Sequence, residues 1–193
     1  GNYTFNGASV DSDGNFLVLL TLTGEVTIEG SSFQSDDNSI LLIKYDQNYN
    51  LLWIKHMKAF SFDLTVHVSS SMAQPIIFTN DYILLSLYTN EADILMIDGE
   101  IFSTAQSDQN YHVVILDETG SVIHFKNIIK ATTNHGFMDV DGTIYLSGQL
   151  NYHVAYFDNI TMMTSGQSDM FLAKLNTNGS YEWVIQNGDN AVT

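Results

Sequence analysis

Three stretches of this sequence decide its fold: ILLIKYDQNYNLLW (residues 40–53), YHVVILDETGSVIH (residues 111–124) and MFLAKLNTNGSYEW (residues 170–183). They align without a gap. In each stretch an apolar run is followed by a polar turn and a second short apolar run. The turns begin at the equivalent residues Asp46, Asp117 and Asn176, and the second runs end at the equivalent residues Trp53, His124 and Trp183. This order is typical of two β-strands joined by a tight turn, and its recurrence indicates a repeat protein.

A second element recurs upstream of each stretch, at residues 11–17 (DSDGNFL), 79–84 (TNDYIL) and 139–146 (DVDGTIYL). The two elements together define three units, at about residues 8–57, 69–129 and 130–186, within a single repeat domain spanning residues 1–193. The units are named unit 1, unit 2 and unit 3 below.

Each unit is predicted to contain four strands. In unit 1 they are residues 16–23, 25–28, 40–45 and 51–55, and residues 1–10 are expected to be the tail of a connection. Asp-Gly and Asn-Gly pairs beginning at residues 13, 141 and 178 are strong hairpin signals. No segment has a sustained helical periodicity, so helix is expected to be nearly absent.

A four-stranded antiparallel unit repeated in tandem favours an all-β, β-propeller-like fold, because each small sheet covers its faces by packing on its neighbours. Three units are fewer than the about four to eight blades of closed propellers. We therefore expect either that the native chain is longer or that copies of it associate.

A family resemblance follows from these motifs. The Asp13-Gly14-Asn15 turn ahead of a strand, the run SDMFLAKL at residues 168–175, and Asn178-Gly179 ahead of Trp183 resemble SBBP-type β-propeller-like repeats of bacterial and other surface proteins. The resemblance covers residues 8–186 and is best in unit 3. It implies repeated blades and an extracellular or cell-surface location, often within a long chain, without naming a ligand.

The charge balance limits the partners of this chain. It contains 22 acidic and 6 basic residues, a formal net charge of −16, and all six basic residues are lysines. Without arginine, and with an average field that repels polyanions, nucleic acid is excluded as an expected partner. The longest apolar runs are too short to span a bilayer, so no membrane insertion is expected within this chain. Cysteine is absent, which excludes disulfides and thiolate metal sites.

Calcium is the sharpest small-ligand hypothesis. Asp11, Asp13 and Asn15 alternate oxygen-bearing side chains around Gly14, and Asp139 and Asp141 repeat half of this pattern. The distal bidentate Glu of a complete calcium loop is missing, and turn chemistry alone also selects Asp and Gly. Both interpretations stay open, and no other cofactor is expected.

The sequence contains no recognisable catalytic machinery. It lacks a GxSxG elbow, a P-loop and a GxGxxG turn, and its six histidines have no metal-ligand spacing. Acidic pairs such as Asp36-Asp37 could serve a glycosidase, but adjacent loop carboxylates are more often solvated turn residues. We therefore expect a protein that is not an enzyme.

Two features point to glycans. Tyrosine-rich loops at residues 48–50 and 151–153 could stack on sugars or dock a protein partner. The sequons at Asn2, Asn159 and Asn178 could accept glycans on a eukaryotic secretory route, although about three such triplets are expected by chance in a chain of this composition.

The sequence thus favours a non-enzymatic extracellular or cell-surface structural or adhesion module, acting through protein partners or self-association, in a larger assembly or filament. The alternative is a carbohydrate-binding module or a carbohydrate-active enzyme domain.

Overall fold

The computed structural model of this chain describes residues 1–60, 68–70, 76–77, 82–90, 94–103, 109–129, 131–150, 154–164 and 168–188. Within these ranges the chain forms strands and turns but no helix, and so has no helix long and apolar enough to cross a membrane. The all-β prediction is confirmed.

Seventeen strands follow one another along the described residues. They are β1 (Asn2–Val10), β2 (Phe16–Ile28), β3 (Ser31–Tyr45), β4 (Leu51–Phe60), β5 (Val68–Ser70), β6 (Ile76–Ile77), β7 (Ile83–Asn90), β8 (Ile94–Ile97), β9 (Glu100–Ser103), β10 (Gln109–Leu116), β11 (Val122–Ile129), β12 (Ala131–Met138), β13 (Ile144–Leu150), β14 (Val154–Phe157), β15 (Ile160–Met163), β16 (Asp169–Leu175) and β17 (Tyr181–Asn187).

The strands form three antiparallel sheets. Sheet 1 has the order β1-β2-β3-β4-β8-β9, and sheet 2 has the order β15-β14-β11-β10-β7-β5, with β6 also paired to β7. Sheet 3 has the order β12-β13-β16-β17. Each sheet is therefore built on strands of one unit paired in chain order.

Hairpins from one unit enlarge the sheet of the unit before it. The β8–β9 hairpin lies between the second and third main strands of unit 2, yet β8 pairs with β4 of sheet 1. The β14–β15 hairpin holds the same place in unit 3, and β14 pairs with β11 of sheet 2. The predicted four-stranded units thus share strands, so sheets 1 and 2 contain more than four.

The strands of unit 1 differ in extent from those predicted. Residues 2–10, expected to be part of a connection, form β1 and pair with β2. Strand β2 continues from Phe16 to Ile28 instead of ending at residue 23, because Gly24 has a φ of 82° and absorbs a register shift there. The two strands predicted at 16–23 and 25–28 are therefore one. Strand β3 begins at Ser31, immediately after the Glu29-Gly30 turn, and not at residue 40 as predicted.

The sheets pack face to face, and alternate side chains of the central strands point to opposite sides. Between sheets 1 and 2, Leu19 and Leu42 pack with Leu85 and Val114. A second cluster joins sheets 2 and 3; it includes Leu84, Val113, Leu146 and Phe171 together with eleven further buried residues on the two facing sheets. Strand β10 is buried on both sides, which explains its continuous apolar run.

Candidate functional site

Five turns of the molecule share one structure, and they hold most of the residues that the sequence singles out. They span residues 11–15, 46–50, 117–121, 139–143 and 176–180. In every turn the N–H of the first residue donates to the carbonyl of the fifth at 2.9–3.0 Å, and the N–H of the fourth donates to the carbonyl of the first at 2.8–3.1 Å. Oδ1 of the first residue also accepts from the backbone N–H groups of the third and fifth residues at 2.8–3.2 Å.

This geometry explains why aspartate occurs at positions 11 and 139 without requiring a bound ion. Oδ1 of Asp11 accepts from the N–H groups of Asp13 and Asn15, and its Oδ2 accepts from the Asn15 side-chain amide at 2.9 Å. Oδ1 of Asp139 likewise accepts from the N–H of Asp141 at 3.0 Å. The Asp11 turn joins β1 to β2 and the Asp139 turn joins β12 to β13, so the five candidate ligands lie in two separate turns.

Among the residues that the structure describes, no group of three or more His, Asp or Glu side chains could hold a metal ion. Calcium binding therefore stays a prediction, with the carboxylates of Asp13 and Asp141 exposed to solvent.

The fourth position of each turn requires a positive φ. Glycine supplies it in four turns, with φ of 78–81°. In the remaining turn Tyr49 has a φ of 65° and stacks on Phe16, with ring centroids 5.6 Å apart and planes 9° apart. Tyr49 is 76% exposed, so this loop tyrosine presents an aromatic face to solvent. The other tyrosine-rich loop, residues 151–153, lies outside the described residues.

One of these turns also fastens two sheets together. The carbonyl oxygen of Glu118, in the turn between β10 and β11, accepts hydrogen bonds from the indole N–H of Trp53 at 3.1 Å and from Nζ of Lys44 at 3.3 Å. Gly120 of the same turn lies against the Trp53 ring, where an added Cβ would approach ring atoms to 3.2 Å. The recurring aromatic and the recurring turn are therefore two halves of one contact between units.

The same contact recurs between sheets 2 and 3 with a different ring. His124 occupies the position of Trp53, interacts with the backbone of Thr177, and lies against Gly179. Burial, together with nearby Lys126, lowers the pKa of His124 below its ordinary value of 6.5, against the effect of the Thr177 hydrogen bond. His124 thus substitutes for an aromatic packing residue.

A buried ion pair lies beneath the first of these contacts. Nζ of Lys44 is 2.8 Å from Oδ2 of Asp11, and the two side chains are only 5% and 3% exposed. Burial alone raises the pKa of Asp11, but the hydrogen bonds from Lys44 and Asn15 outweigh it and hold the pKa below 3.8. The Asp11 carboxylate is therefore charged at neutral pH.

A second recurring ion pair holds each inserted hairpin to the preceding unit. Oδ2 of Asp98, in the β8–β9 turn, is 3.0 Å from Nζ of Lys55 on β4, and Oδ2 of Asp158 in the β14–β15 turn is 2.9 Å from Nζ of Lys126 on β11. Both aspartates have a φ near 50°, as has Glu29 in the β2–β3 turn. The sequence signal for these three hairpins is the pair Glu-Gly, Asp-Gly or Asp-Asn between short apolar runs.

Three of the described histidines, His56, His112 and His124, pack against neighbouring residues, whereas His135 on β12 is exposed. The rings of His56 and Phe33 are nearly perpendicular, with centroids 5.6 Å apart, and Nε2 of His56 is 2.9 Å from Oγ of Ser39. Burial and nearby Lys58 lower the pKa of His56 to about 4, despite the opposing effect of Asp98. His112 is buried and stacks on Phe125 at 5.5 Å. His67 and His153 lie outside the described residues.

The three sequon asparagines, Asn2, Asn159 and Asn178, are all exposed. Asn2 begins β1, Asn159 lies at the tip of the β14–β15 hairpin, and Asn178 lies in the turn before β17. Their positions leave each side chain accessible to a modifying enzyme. The side chains of the acidic pair at residues 36 and 37 lie outside the described part of the chain.

No protein-family model matches this sequence, and no curated protein matches it either. The resemblance to SBBP-type repeats therefore rests on the turn, strand and aromatic residues quoted from the sequence.

Proposed function

We propose that this chain is a non-enzymatic structural or adhesion module, built from β-propeller-like repeats, that acts outside the cell or at its surface. The observation that carries the proposal is that the aspartate, tryptophan and histidine side chains which could bind a ligand or take part in catalysis are instead hydrogen-bonded within the fold. Asp11, Asp117 and Asp139 bind the backbone of their own turns, and Trp53 and His124 bind the turn of the next unit. These groups are committed to holding strands and sheets in place.

The propeller-like arrangement is supported by the order of the contacts. Units 1 and 2 each pack a sheet face on the next sheet, and units 2 and 3 each pass a hairpin back to the preceding sheet. Stacked small sheets that each contact only their neighbours are typical of propellers and other repeat proteins.

The surface location is supported by the SBBP-type resemblance and by the exposure of Asn2, Asn159 and Asn178. A net charge of −16 also favours basic protein surfaces over nucleic acid as partners.

The adhesion role is tested by measuring saturable binding of the fluorescently labelled protein to cells and to immobilised matrix proteins. We expect saturable binding by the folded protein and none by the same protein after heat unfolding. Equal binding by both, or none by either, would contradict an adhesion role.

Carbohydrate binding is a second candidate, favoured by Tyr49. Its ring is stacked on Phe16 and 76% exposed, the kind of aromatic surface on which a sugar ring can pack. On a glycan array, Tyr49→Ala should abolish any saturable signal, whereas Tyr3→Ala, which removes a tyrosine that is 66% exposed on β1, should leave it unchanged. Absence of any glycan signal from the unmodified chain would eliminate this candidate.

A further inference from the structure

The outer side of sheet 3 leaves two apolar side chains exposed whose equivalents in unit 1 are buried. We name this side the distal face, and it comprises Tyr145, Met170, Leu172, Lys174, Trp183 and Ile185. Along β16 the side chains alternate, so that Phe171 and Ala173 pack on sheet 2 while Met170 and Leu172 point away from it.

The equivalent side of sheet 1 is covered by unit 2. Met170 and Leu172 are 68% and 38% exposed, whereas their equivalents Ile40 and Leu42 are 1% and 0% exposed. The difference between these pairs is what covers them, because both lie at the same positions of the repeat.

The lysine of this face shows the same effect. The side chain of Lys44 is 5% exposed and bonds to Asp11 and to the carbonyl of Glu118 in the next unit. Its equivalent Lys174 is 26% exposed and pairs with Glu182, its own neighbour across the hairpin. Trp183, equivalent to Trp53, has no turn of a following unit beside it among the described residues.

The opposite end of the molecule presents the complementary half of such a contact. We name it the proximal face; its partly buried apolar residues include Val18, Leu20, Val26, Ile28, Phe33 and Tyr45, packed around buried Leu22, Leu41 and Ile43. Val26 and Ile28 lie on the β2–β3 hairpin and are only partly buried. Their equivalents at the two internal contacts are buried: Leu95 and Ile97 are 1% and 3% exposed, and Ala155 and Phe157 are both 0% exposed.

We propose that the distal face of one molecule binds the proximal face of a second copy of this chain, head to tail, in the geometry of the two internal contacts between units. The β2–β3 hairpin of the second copy then takes the place that β8–β9 and β14–β15 take inside the molecule. This inference rests on the proposed structural role and adds the identity of the partner.

Such a contact joins two different surfaces, so it closes a ring or continues as a filament. A closed dimer and a longer polymer both agree with the proposal.

The strand register at the two ends of the molecule also predicts that the contact between copies is weaker than the contacts inside the chain. On β4 the lysine that binds Asp98 is Lys55, which lies opposite Leu42. On β17 the residue opposite Leu172 is Ile185. Glu29, the equivalent of Asp98 at the tip of the incoming hairpin, therefore meets an isoleucine, and the ion pair of the internal contacts is missing.

The first experiment is sedimentation velocity of the full chain over a range of concentrations. We expect concentration-dependent association that strengthens with salt, because each copy carries a charge of −16. Leu172→Glu on the distal face and Ile28→Glu on the proximal face should each weaken self-association at least about tenfold, because each places a charge in an apolar contact. Val140→Glu is the matched control, since Val140 is 77% exposed but lies in a turn.

Mixing the two variants tests the head-to-tail arrangement directly. The Leu172→Glu molecule retains an intact proximal face and the Ile28→Glu molecule an intact distal face, so the mixture should form a one-to-one complex that grows no further. Circular dichroism and thermal melting first establish that both variants are folded. If Ile28→Glu is unfolded, Glu29→Lys replaces it, because Glu29 is an exposed residue of the same hairpin. In molecules that also carry Ile185→Lys, Glu29→Lys should weaken self-association, because two lysines would then face each other across the contact.

A gain of affinity provides the sharper test. Ile185→Lys supplies the missing partner for Glu29 and should tighten self-association about two- to fivefold. Val140→Lys makes the same change in net charge away from the face and should have a smaller effect. Association that depended only on exposed apolar surface would instead be weakened by Ile185→Lys.

A chain that stays monomeric at all concentrations would overturn the proposal, as would self-association unaffected by Leu172→Glu. Neither result bears on binding to cells or matrix, which is measured on monomer at low concentration, so failure of self-association and failure of the adhesion role are distinguishable.

Discussion

Nζ of Lys44 lies 2.8 Å from Oδ2 of Asp11 inside unit 1, where a turn of unit 2 covers the pair. The equivalent lysine of unit 3, Lys174, is directed to exposed Glu182 instead. One position of the repeat thus forms a buried ion pair at one end of the molecule and an exposed pair at the other. Substitutions at the two positions therefore test how burial changes the contribution of this ion pair to the free energy of unfolding.

We expect Asp11→Asn to lower the free energy of unfolding by about 3 kcal/mol, because it leaves the ammonium group of Lys44 buried without a counter-charge. Asparagine keeps the Oδ1 acceptor of the turn, as Asn176 does in unit 3. Asp139→Asn, at the equivalent position of unit 3, should cost less than about 1 kcal/mol. Chemical denaturation measures both. Equal losses would show that the turn, and not the buried charge, determines the effect.

Gly120 and Gly14 separate the cost of backbone conformation from the cost of packing between units. Both have a φ of 81°, so alanine at either position should cost about 1–2 kcal/mol. At Gly14 an added Cβ meets no atom within 4 Å, whereas at Gly120 it comes within 2.6 Å of Cε of Lys55 and 3.2 Å of the Trp53 ring. Gly120→Ala should therefore cost about 1–3 kcal/mol more than Gly14→Ala in urea denaturation. Identical costs would mean that the Glu118 turn is not packed against β4.

The depressed pKa of His56 predicts a loss of stability in mild acid. Its pKa is about 4 in the folded protein and near 6.5 when unfolded, so the unfolded chain binds the extra proton between these values. Stability from this residue is complete above pH 6.5 and declines as pH falls towards 4. Allowing for solvent screening of a half-buried ring, the loss is about 1–2 kcal/mol.

Denaturation midpoints of the unmodified chain and of His56→Gln, measured from pH 7 to pH 4, test this prediction. The variant should show a smaller decline over that interval, because glutamine does not titrate. The carboxylate of Asp11 contributes in a separate interval, since its lowered pKa makes it lose stability only as pH falls below 3.8. A decline of the same size in both proteins would assign the pH dependence to other groups.

Tyr181 offers a substitution that should not destabilise the protein. Its hydroxyl oxygen is buried with no hydrogen-bond partner among the described residues, and burial, together with Asp158, raises the pKa of the phenol. Its ring packs edge-on against Phe157 at 5.4 Å. Tyr181→Phe keeps that contact and removes the buried polar atom, so the midpoint of thermal unfolding should be unchanged or higher. A clear decrease would reveal a partner for the hydroxyl.

Much of the local structure could be predicted from the sequence. The gapless alignment identified the paired strands around Asp46, Asp117 and Asn176, and the Asp-Gly pairs identified turns. These features are local, because the backbone hydrogen bonds that form each turn, and those accepted by Oδ1 of its first residue, join residues no more than four positions apart. The oxygen-rich pattern at Asp11 and Asp139 was harder to interpret, since the same side chains suit a turn and a calcium site.

The inserted hairpins were not predicted as such. Their strands have only four residues in units 2 and 3, and in unit 1 the hairpin is continuous with β2 and β3. What each hairpin pairs with depends on the neighbouring unit, because β8 and β14 each complete the sheet of the unit before their own. Strand periodicity carries no information about that partner.

By itself the sequence determined that this protein is a β-repeat with recurring turns, since alternation of apolar residues and the conformational needs of Asp and Gly act over a few residues. Only the tertiary structure decided which copies of a repeated residue are buried. Lys44 and Lys174 occupy the same position in the alignment, and the oxygen that covers Lys44 belongs to Glu118, 74 residues away. Burial depends on what packs above a strand, and here that is the next unit.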